Sequence, residues 1–239
     1  MGPPPGRSSR GGRIGAPMNA AELVLASRSP RRARLLRDAG YRFRQIEPPF
    51  DDPAHPEPRS PAEAGALAAE LADRKARSLL KSKDLSRETA ACVVLAADTI
   101  CVRGDGALIG QPASAEQARR MIRDFADAAH QVVTGVAIAA RHAHEESEED
   151  GTERFFDTAV VSLGHLADDE IERYVDSGRW RGKAGGYNLF ERRDAGWPLT
   201  VEGDPTTVVG LPMNLLREPL SRRGVVPRVR TTDPPKADG

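Results

Sequence analysis

Leu23-Val24-Leu25-Ala26-Ser27-Arg28-Ser29-Pro30-Arg31-Arg32 reads as a short buried strand that turns sharply into a helix. Leu23 to Ala26 form an apolar run, Ser29 is placed to cap the helix, and Pro30 suits its first turn. Leu35, Leu36 and Ala39 supply the apolar stripe, and Gly40 stops it. The charges do not suit a helix start. Arg28, Arg31 and Arg32 crowd the positive end of the helix dipole, at roughly 0.3–1 kcal/mol each. Backbone N–H groups, the hydroxyls of Ser27 and Ser29 and the guanidiniums converge on one point, which a phosphate chain would satisfy. The alternative is a solvated basic turn.

Outward from this stretch, strands and helices mix. Pro48 to Pro58 is a Pro- and Asp-rich loop. Ser60-Pro61-Ala62-Glu63 is a capping box that starts a helix to about Lys81. Its stripe is Ala64, Leu67, Ala68, Leu71, Lys75, Ser78 and Leu79. Ala90 to Ala97 is a continuous apolar run, as in a strand buried on both faces. Asp98 interrupts it before Thr99-Ile100-Cys101-Val102. Turns follow at Gly104-Asp105-Gly106 and Gly110-Gln111-Pro112, and Ser114 with Gln117 caps a helix bearing Ala118, Met121, Ile122 and Phe125. Strands are predicted at Gln131–Ala140 and Arg154–Leu163, with a polar hairpin loop between them. A helix over Ala167–Ser177 precedes strands around Leu199–Val201 and Thr207–Val209, and Pro212 opens a last short helix. The fold class is α/β with a mixed sheet.

The chain has 239 residues, with 35 basic and 35 acidic side chains, so no net charge draws it to nucleic acid or membrane. No apolar run is long enough to span a bilayer, no signal peptide is read, and a cytoplasmic location is expected. Cys92 and Cys101 lack metal-ligand or CxxC spacing and read as reduced core thiols. Residues 1–20 and 224–239 are poor in groups to bury and are expected to be disordered tails around one domain, 21–223. Only five lysines occur, so Lys75 on an apolar helix face draws notice, although lysines also snorkel from such positions.

Asp98 is the leading catalytic candidate. A carboxylate at the carboxyl end of a buried strand is costly unless paired, and ligands of open α/β sheets bind at such ends. It could orient or deprotonate a water, or hold a metal ion; the alternative is an aspartate capping a turn. Asp51 and Asp52 are oxygen donors suited to Mg²⁺ or Mn²⁺, or are simply solvated. His142 and His144 beside glutamates read as a solvated loop. Gly182-Lys183-Ala184 fails as a P-loop, because Gly178 is one residue too close and Ala184 replaces the Ser or Thr that binds Mg²⁺. Its glycines suit close approach of backbone to a ligand. No GxSxG elbow supports a serine triad.

Together these residues resemble the Maf family of nucleoside triphosphate pyrophosphatases. The matching blocks are LASRSPRRARLL at 25–36, RKA at 74–76, AADT at 96–99, HQVVTGVAI at 130–138, GKAGGY at 182–187 and VEGDPTTVVGLPMNLL at 201–216. The resemblance implies a Maf/inosine-triphosphatase-like fold, a twisted mixed sheet flanked by helices, with two lobes around a cleft. It implies hydrolysis of a nucleoside triphosphate to monophosphate and pyrophosphate with a divalent metal cofactor, Mg²⁺ or Mn²⁺. It makes Asp98 the catalytic base and a metal ligand with Asp52 (or Asp51). It assigns substrate binding to Ser27, Arg31, Arg32 and Lys75, with Thr99, Lys183 and Phe190 also placed at the substrate. Two departures stand out against the dTTP/UTP-cleaving subgroup. Gln111 replaces a lysine, and Phe190 replaces a glutamine able to read a base edge.

The expected protein is thus a hydrolase acting on acid anhydrides, with dTTP, UTP or modified nucleotides as substrates and a house-cleaning role. It needs no nucleic acid or membrane partner, and a homodimer stays open. The alternative is a nucleotide-binding regulator of cell division and septum formation that has lost turnover.

Overall fold

The apolar run at Leu23 is an interior strand of a seven-stranded mixed sheet. The structure, a computed structural model, describes residues 21–51, 60–86, 91–103, 107–141 and 151–228. Strand β1 (Glu22–Ala26) lies between β2 (Arg44–Ile46) and β3 (Cys92–Arg103), parallel to both. Strand β4 (Leu108–Ile109) folds back antiparallel on the end of β3. Antiparallel β5 (Ala128–Arg141), β6 (Glu153–Leu163) and β7 (Leu199–Glu202) complete the order β2-β1-β3-β5-β6-β7. The helices are α1 (Pro30–Asp38), α2 (Pro61–Leu80), α3 (Lys83–Ser86), α4 (Ala115–Phe125), α5 (Asp168–Asp176), α6 (Leu189–Asp194), α7 (Pro205–Val209) and α8 (Met213–Arg222). Among the described residues no helix is long and apolar enough to cross a membrane.

Alternation along β3 assigns its two faces. Cys92, Val94 and Ala96 pack against Ala72, Ala76 and Leu79 of α2. Val93, Leu95 and Ala97 point the other way, toward Leu36 of α1 and Leu216 and Leu220 of α8. Farther along that second face, Cys101 and Val132 meet Ile122 and Phe125 of α4 and Ile171 and Tyr174 of α5. Helix α2 seats closely because its inner face is mostly alanine and because residue 135 is glycine. A Cβ on Gly135 would lie 2.1 Å from the backbone at Ala68 and Ala69. Gly135 pairs with Asp98, so the helix closes over the sheet directly beside that carboxylate.

The capped starts are as read from sequence. Ser29, Ser60 and Ser114 accept from the N–H groups of Arg32, Glu63 and Gln117. Three expectations differ from the structure. Thr207–Val209 is not a strand but part of α7. Its β-branched residues favour a strand, yet Asp204 caps the Thr206 N–H at 2.8 Å, Pro205 fits the first turn, and left-handed Gly210 closes it. Asp98 lies inside β3, not at its carboxyl end; the strand that ends beside it is β1, whose pairing stops at Ala26–Ala96. The packed chain also continues past 223: Val225 is buried, and the Arg228 N–H donates to the Gly40 carbonyl. Residues 1–20, the turn at 104–106 and the hairpin loop with His142 and His144 lie outside the described residues.

Candidate active site

Strand β3 has β1 as its neighbour through Ala96 and β4 from Cys101 onward. Between them, among the described residues, no strand pairs on that side. Asp98 and Thr99 therefore reach open space although they belong to an interior strand. Side chains from both faces of the sheet converge there on a cavity of about 550 Å³.

From the α1 side come Ser27, Arg31 and Arg32. The Ser27 N–H donates to the Leu25 and Ile46 carbonyls, and its hydroxyl accepts from the Ser29 N–H at 3.1 Å. Gln45 donates to the Ser27 carbonyl at 2.7 Å. Arg32 is clamped: Nε donates to the Gly210 carbonyl at 2.7 Å, Nη2 to Thr99 Oγ1 at 3.0 Å and Nη1 to Ser27 Oγ at 3.3 Å. Gly210 has a φ of +111°, and a Cβ there would press within 3.1 Å of both Arg32 Nε and Thr99 Oγ1. Desolvation pushes the Arg32 pKa below the usual guanidinium value, Asp98 opposes that shift, and the Arg31 charge adds to it. Arg31 also lines the cavity. Among the described residues Arg31 has no hydrogen-bond or ion-pair partner, so its donors are available to an anion.

From the α2 side come Lys75 and Asp98. Lys75 Nζ lies 2.5 Å from Asp98 Oδ1, with both side chains about 15% exposed (16% and 15%). Lys75 Nζ is also 5.5 Å from the centre of the Phe50 ring. A lysine on an apolar helix face is thus accounted for: it carries a cation to the carboxylate of the facing strand.

The rest of the wall comes from the glycine-rich segment. Lys183 and Asn188 line the cavity with Tyr187, Gln111 and His130. Lys183 pairs with Glu191 at 2.5 Å. Asn188 uses its side-chain oxygen to cap α6, accepting from the Glu191 N–H at 3.0 Å. Phe190, in the first turn of α6, does not line the cavity and is 38% exposed. Burial drives the His130 imidazole down to about 4, so it is neutral at ordinary pH. It stacks on Phe125 with centroids 4.3 Å apart, and Nε2 lies 3.2 Å from the Tyr187 hydroxyl.

Of the metal-site candidates, Asp98 lines the cavity, Asp51 is exposed and does not, and Asp52 lies outside the described residues. Glu47 joins Asp98 on the wall. Among the described residues no group of three or more His, Cys, Asp or Glu side chains gathers. Both are oxygen donors of the kind a hard cation takes, and both are already paired, Asp98 with Lys75 and Glu47 with Arg28 at 3.1 Å, so a cation there would draw its remaining oxygens from substrate phosphates.

Sequence reasoning assigned no role to His130, Thr134, Tyr187 or Gly210. Period-two alternation from Thr134 places His130, Val132 and Thr134 on one face, but only the tertiary structure shows that His130 and Val132 reach the cavity while Thr134, paired in register with Thr99, lies behind it.

The family model for Maf-like proteins matches residues 22–223 of this chain. A dTTP/UTP pyrophosphatase of Salinibacter ruber is 38% identical over 194 residues, 81% of this chain and 87% of the relative. Those of Symbiobacterium thermophilum and Dictyoglomus thermophilum are 36% and 32% identical, each over 85% of this chain and over 94% and 96% of their own lengths.

Proposed function

Because the chain belongs to the Maf-like family, we propose that it is a nucleoside triphosphate pyrophosphatase that cleaves nucleoside triphosphates to monophosphate and pyrophosphate. The curated relatives act on dTTP and UTP, and these are the substrates proposed here. The observation that carries the reading is the meeting of Lys75–Asp98 and Ser27–Arg31–Arg32 in one cavity. A triphosphate needs cations along its chain and an oxygen base at the phosphorus under attack, and here they arrive from opposite faces of one strand.

Asp98 orients a water for attack at the α-phosphorus and takes its proton, with Lys75 fixing the direction of the carboxylate. Arg31 takes phosphate oxygens, while Arg32, already held by three acceptors, offers its charge without moving. A divalent cation, Mg²⁺ or Mn²⁺, held by Asp98 with Glu47 or Asp52, would offset phosphate charge when bound. Neutral His130, Tyr187, Asn188 and Gln111 wall the part of the cavity left for the nucleoside. A cytoplasmic location and a role that clears nucleotides from the pool go with this proposed substrate.

The test is hydrolysis of dTTP, UTP and a panel of other nucleoside triphosphates in ¹⁸O-labelled water with Mg²⁺ or Mn²⁺. The expected products are labelled monophosphate and unlabelled pyrophosphate. Nucleoside diphosphate and orthophosphate as first products would overturn the proposal.

A further inference from the structure

Behind Arg32, away from the cavity, lies a row of groups whose protons can be counted. Thr134 and Thr207 are fully buried and do not line the cavity. Thr134 Oγ1 is 2.7 Å from the Thr207 carbonyl oxygen. A carbonyl only accepts, so the Thr134 proton is committed to it. The Thr99 and Thr134 hydroxyls are 3.0 Å apart. Since Thr134 has spent its only proton, Thr99 must be the donor of that pair. Thr99 is then left with lone pairs alone, and Arg32 Nη2 donates to them across 3.0 Å. At the far end the Thr207 hydroxyl donates to Asp157 of β6. That bond ties down α7, which carries the Gly210 carbonyl to Arg32 Nε.

We propose that Thr134 is a positioning residue for Arg32: by consuming the Thr99 proton, it turns Thr99 into an acceptor aimed at the guanidinium. Thr99 then holds the arginine and does not donate to a phosphate oxygen, a different part from the substrate contact that the family resemblance implies. The chain of donors runs one way, Arg32 to Thr99 to Thr134 to the Thr207 carbonyl, and each group has a single arrangement that satisfies it. The arrangement matters because Arg32 is desolvated and lies beside the like charge of Arg31 at a helix N-terminus. A guanidinium so placed keeps its direction only through fixed acceptors. The inference rests on the proposed triphosphate site.

Thr134→Val keeps the shape and removes the hydroxyl, which frees the Thr99 proton to turn toward the cavity. The full chain carrying Thr134→Val should lose about tenfold in kcat/KM for the nucleoside triphosphate, the size of one charge-assisted hydrogen bond. Thr134→Ser should stay within about twofold of the parent protein, because the same proton is spent in the same way. The deciding measurement is a cycle with Arg32→Lys, whose ammonium cannot span the same acceptors. In that background Thr134→Val should change kcat/KM by less than about twofold. A full tenfold loss there, or Thr134→Ser as impaired as Thr134→Val, overturns the inference. If Thr134→Val does not fold, Thr99→Val carries the same cycle from a half-buried position, and wild-type kcat/KM in it likewise overturns the inference. Absence of pyrophosphate release by the parent protein would overturn the proposed function separately. Calorimetric binding of the triphosphate with Mg²⁺ to the same variants then decides the positioning role by the same cycle.

Discussion

Asp98 and Thr99 are neighbours in sequence and point to opposite faces of β3, so one strand carries the carboxylate to Lys75 and the hydroxyl to Arg32. The first prediction belongs here. Asp98→Asn is nearly isosteric and should keep the fold while lowering kcat by about 10² or more, as expected for a lost general base. Steady-state rates with unchanged circular dichroism check it, and near-normal turnover would make Asp98 structural. His130 gives the second. Its folded-state pKa is depressed to about 4 from 6.5, so on acidification the unfolded chain takes up the proton first. The stability it contributes is present above about pH 6.5 and is lost as the pH falls toward about 4, by up to about 1.4 kcal/mol per pH unit. Urea unfolding of the parent protein and of His130→Gln at several pH values should show a steeper acid loss in the parent. Parallel curves would contradict a buried neutral imidazole. The arginines of the α1 turn, Lys75 and Asp98 stand out in the sequence because each breaks a local rule of charge or polarity, and the structure brings them, with Ser27, to one cavity. Thr134 and Gly210 break no such rule, and their part follows only from what they touch.

Helix α2 and strand β5 set the geometry of the Lys75–Asp98 pair. The small inner face of α2 meets Gly135, and that contact fixes how near Lys75 comes to Asp98. Gly135→Ala would put a methyl group 2.1 Å from the α2 backbone, where no side chain can yield. The expected outcome is a loss of about 1–3 kcal/mol or more in urea unfolding, with kcat reduced as Lys75 withdraws. Unchanged stability would mean that the helix does not seat there. Helix α7 shows why element type was only partly legible. Thr207, Val208 and Val209 carry strand propensity, while Asp204, Pro205 and Gly210 carry helix boundaries. In so short a segment the caps outweighed the propensities, each worth only a fraction of a kilocalorie.

At the scale of the molecule, a cavity framed by α1, α2, α7 and the glycine-rich segment couples ligand binding to stability. A non-hydrolysable α,β-methylene analogue of UTP with Mg²⁺ should raise Tm, with about 2.7 kcal/mol of stabilisation at a hundred times its Kd. Arg31→Ala should lose most of that shift, since Arg31 is the cavity arginine left without a partner among the described residues. Scanning calorimetry at several ligand concentrations checks both. An equal shift in the two proteins would show that the phosphates lie elsewhere. Chelation of divalent ions should abolish turnover.

Local sequence determined the strand–turn–helix at Leu23–Asp38, the serine caps, the buried run before Asp98 and the crowding of arginines at the α1 turn. Each rests on neighbours a few residues apart, whose sterics and hydrogen bonds do not depend on the rest of the chain. The tertiary structure alone decided that β1 stops short of Asp98 while β3 continues, which opens the cavity. It also decided that Phe190 stands outside that cavity, and that Thr134 and the Gly210 carbonyl lie behind Arg32. Those outcomes depend on strand register and on backbone approach between residues far apart in the chain. A shift of one residue in register would have turned Thr134 to the other face of the sheet.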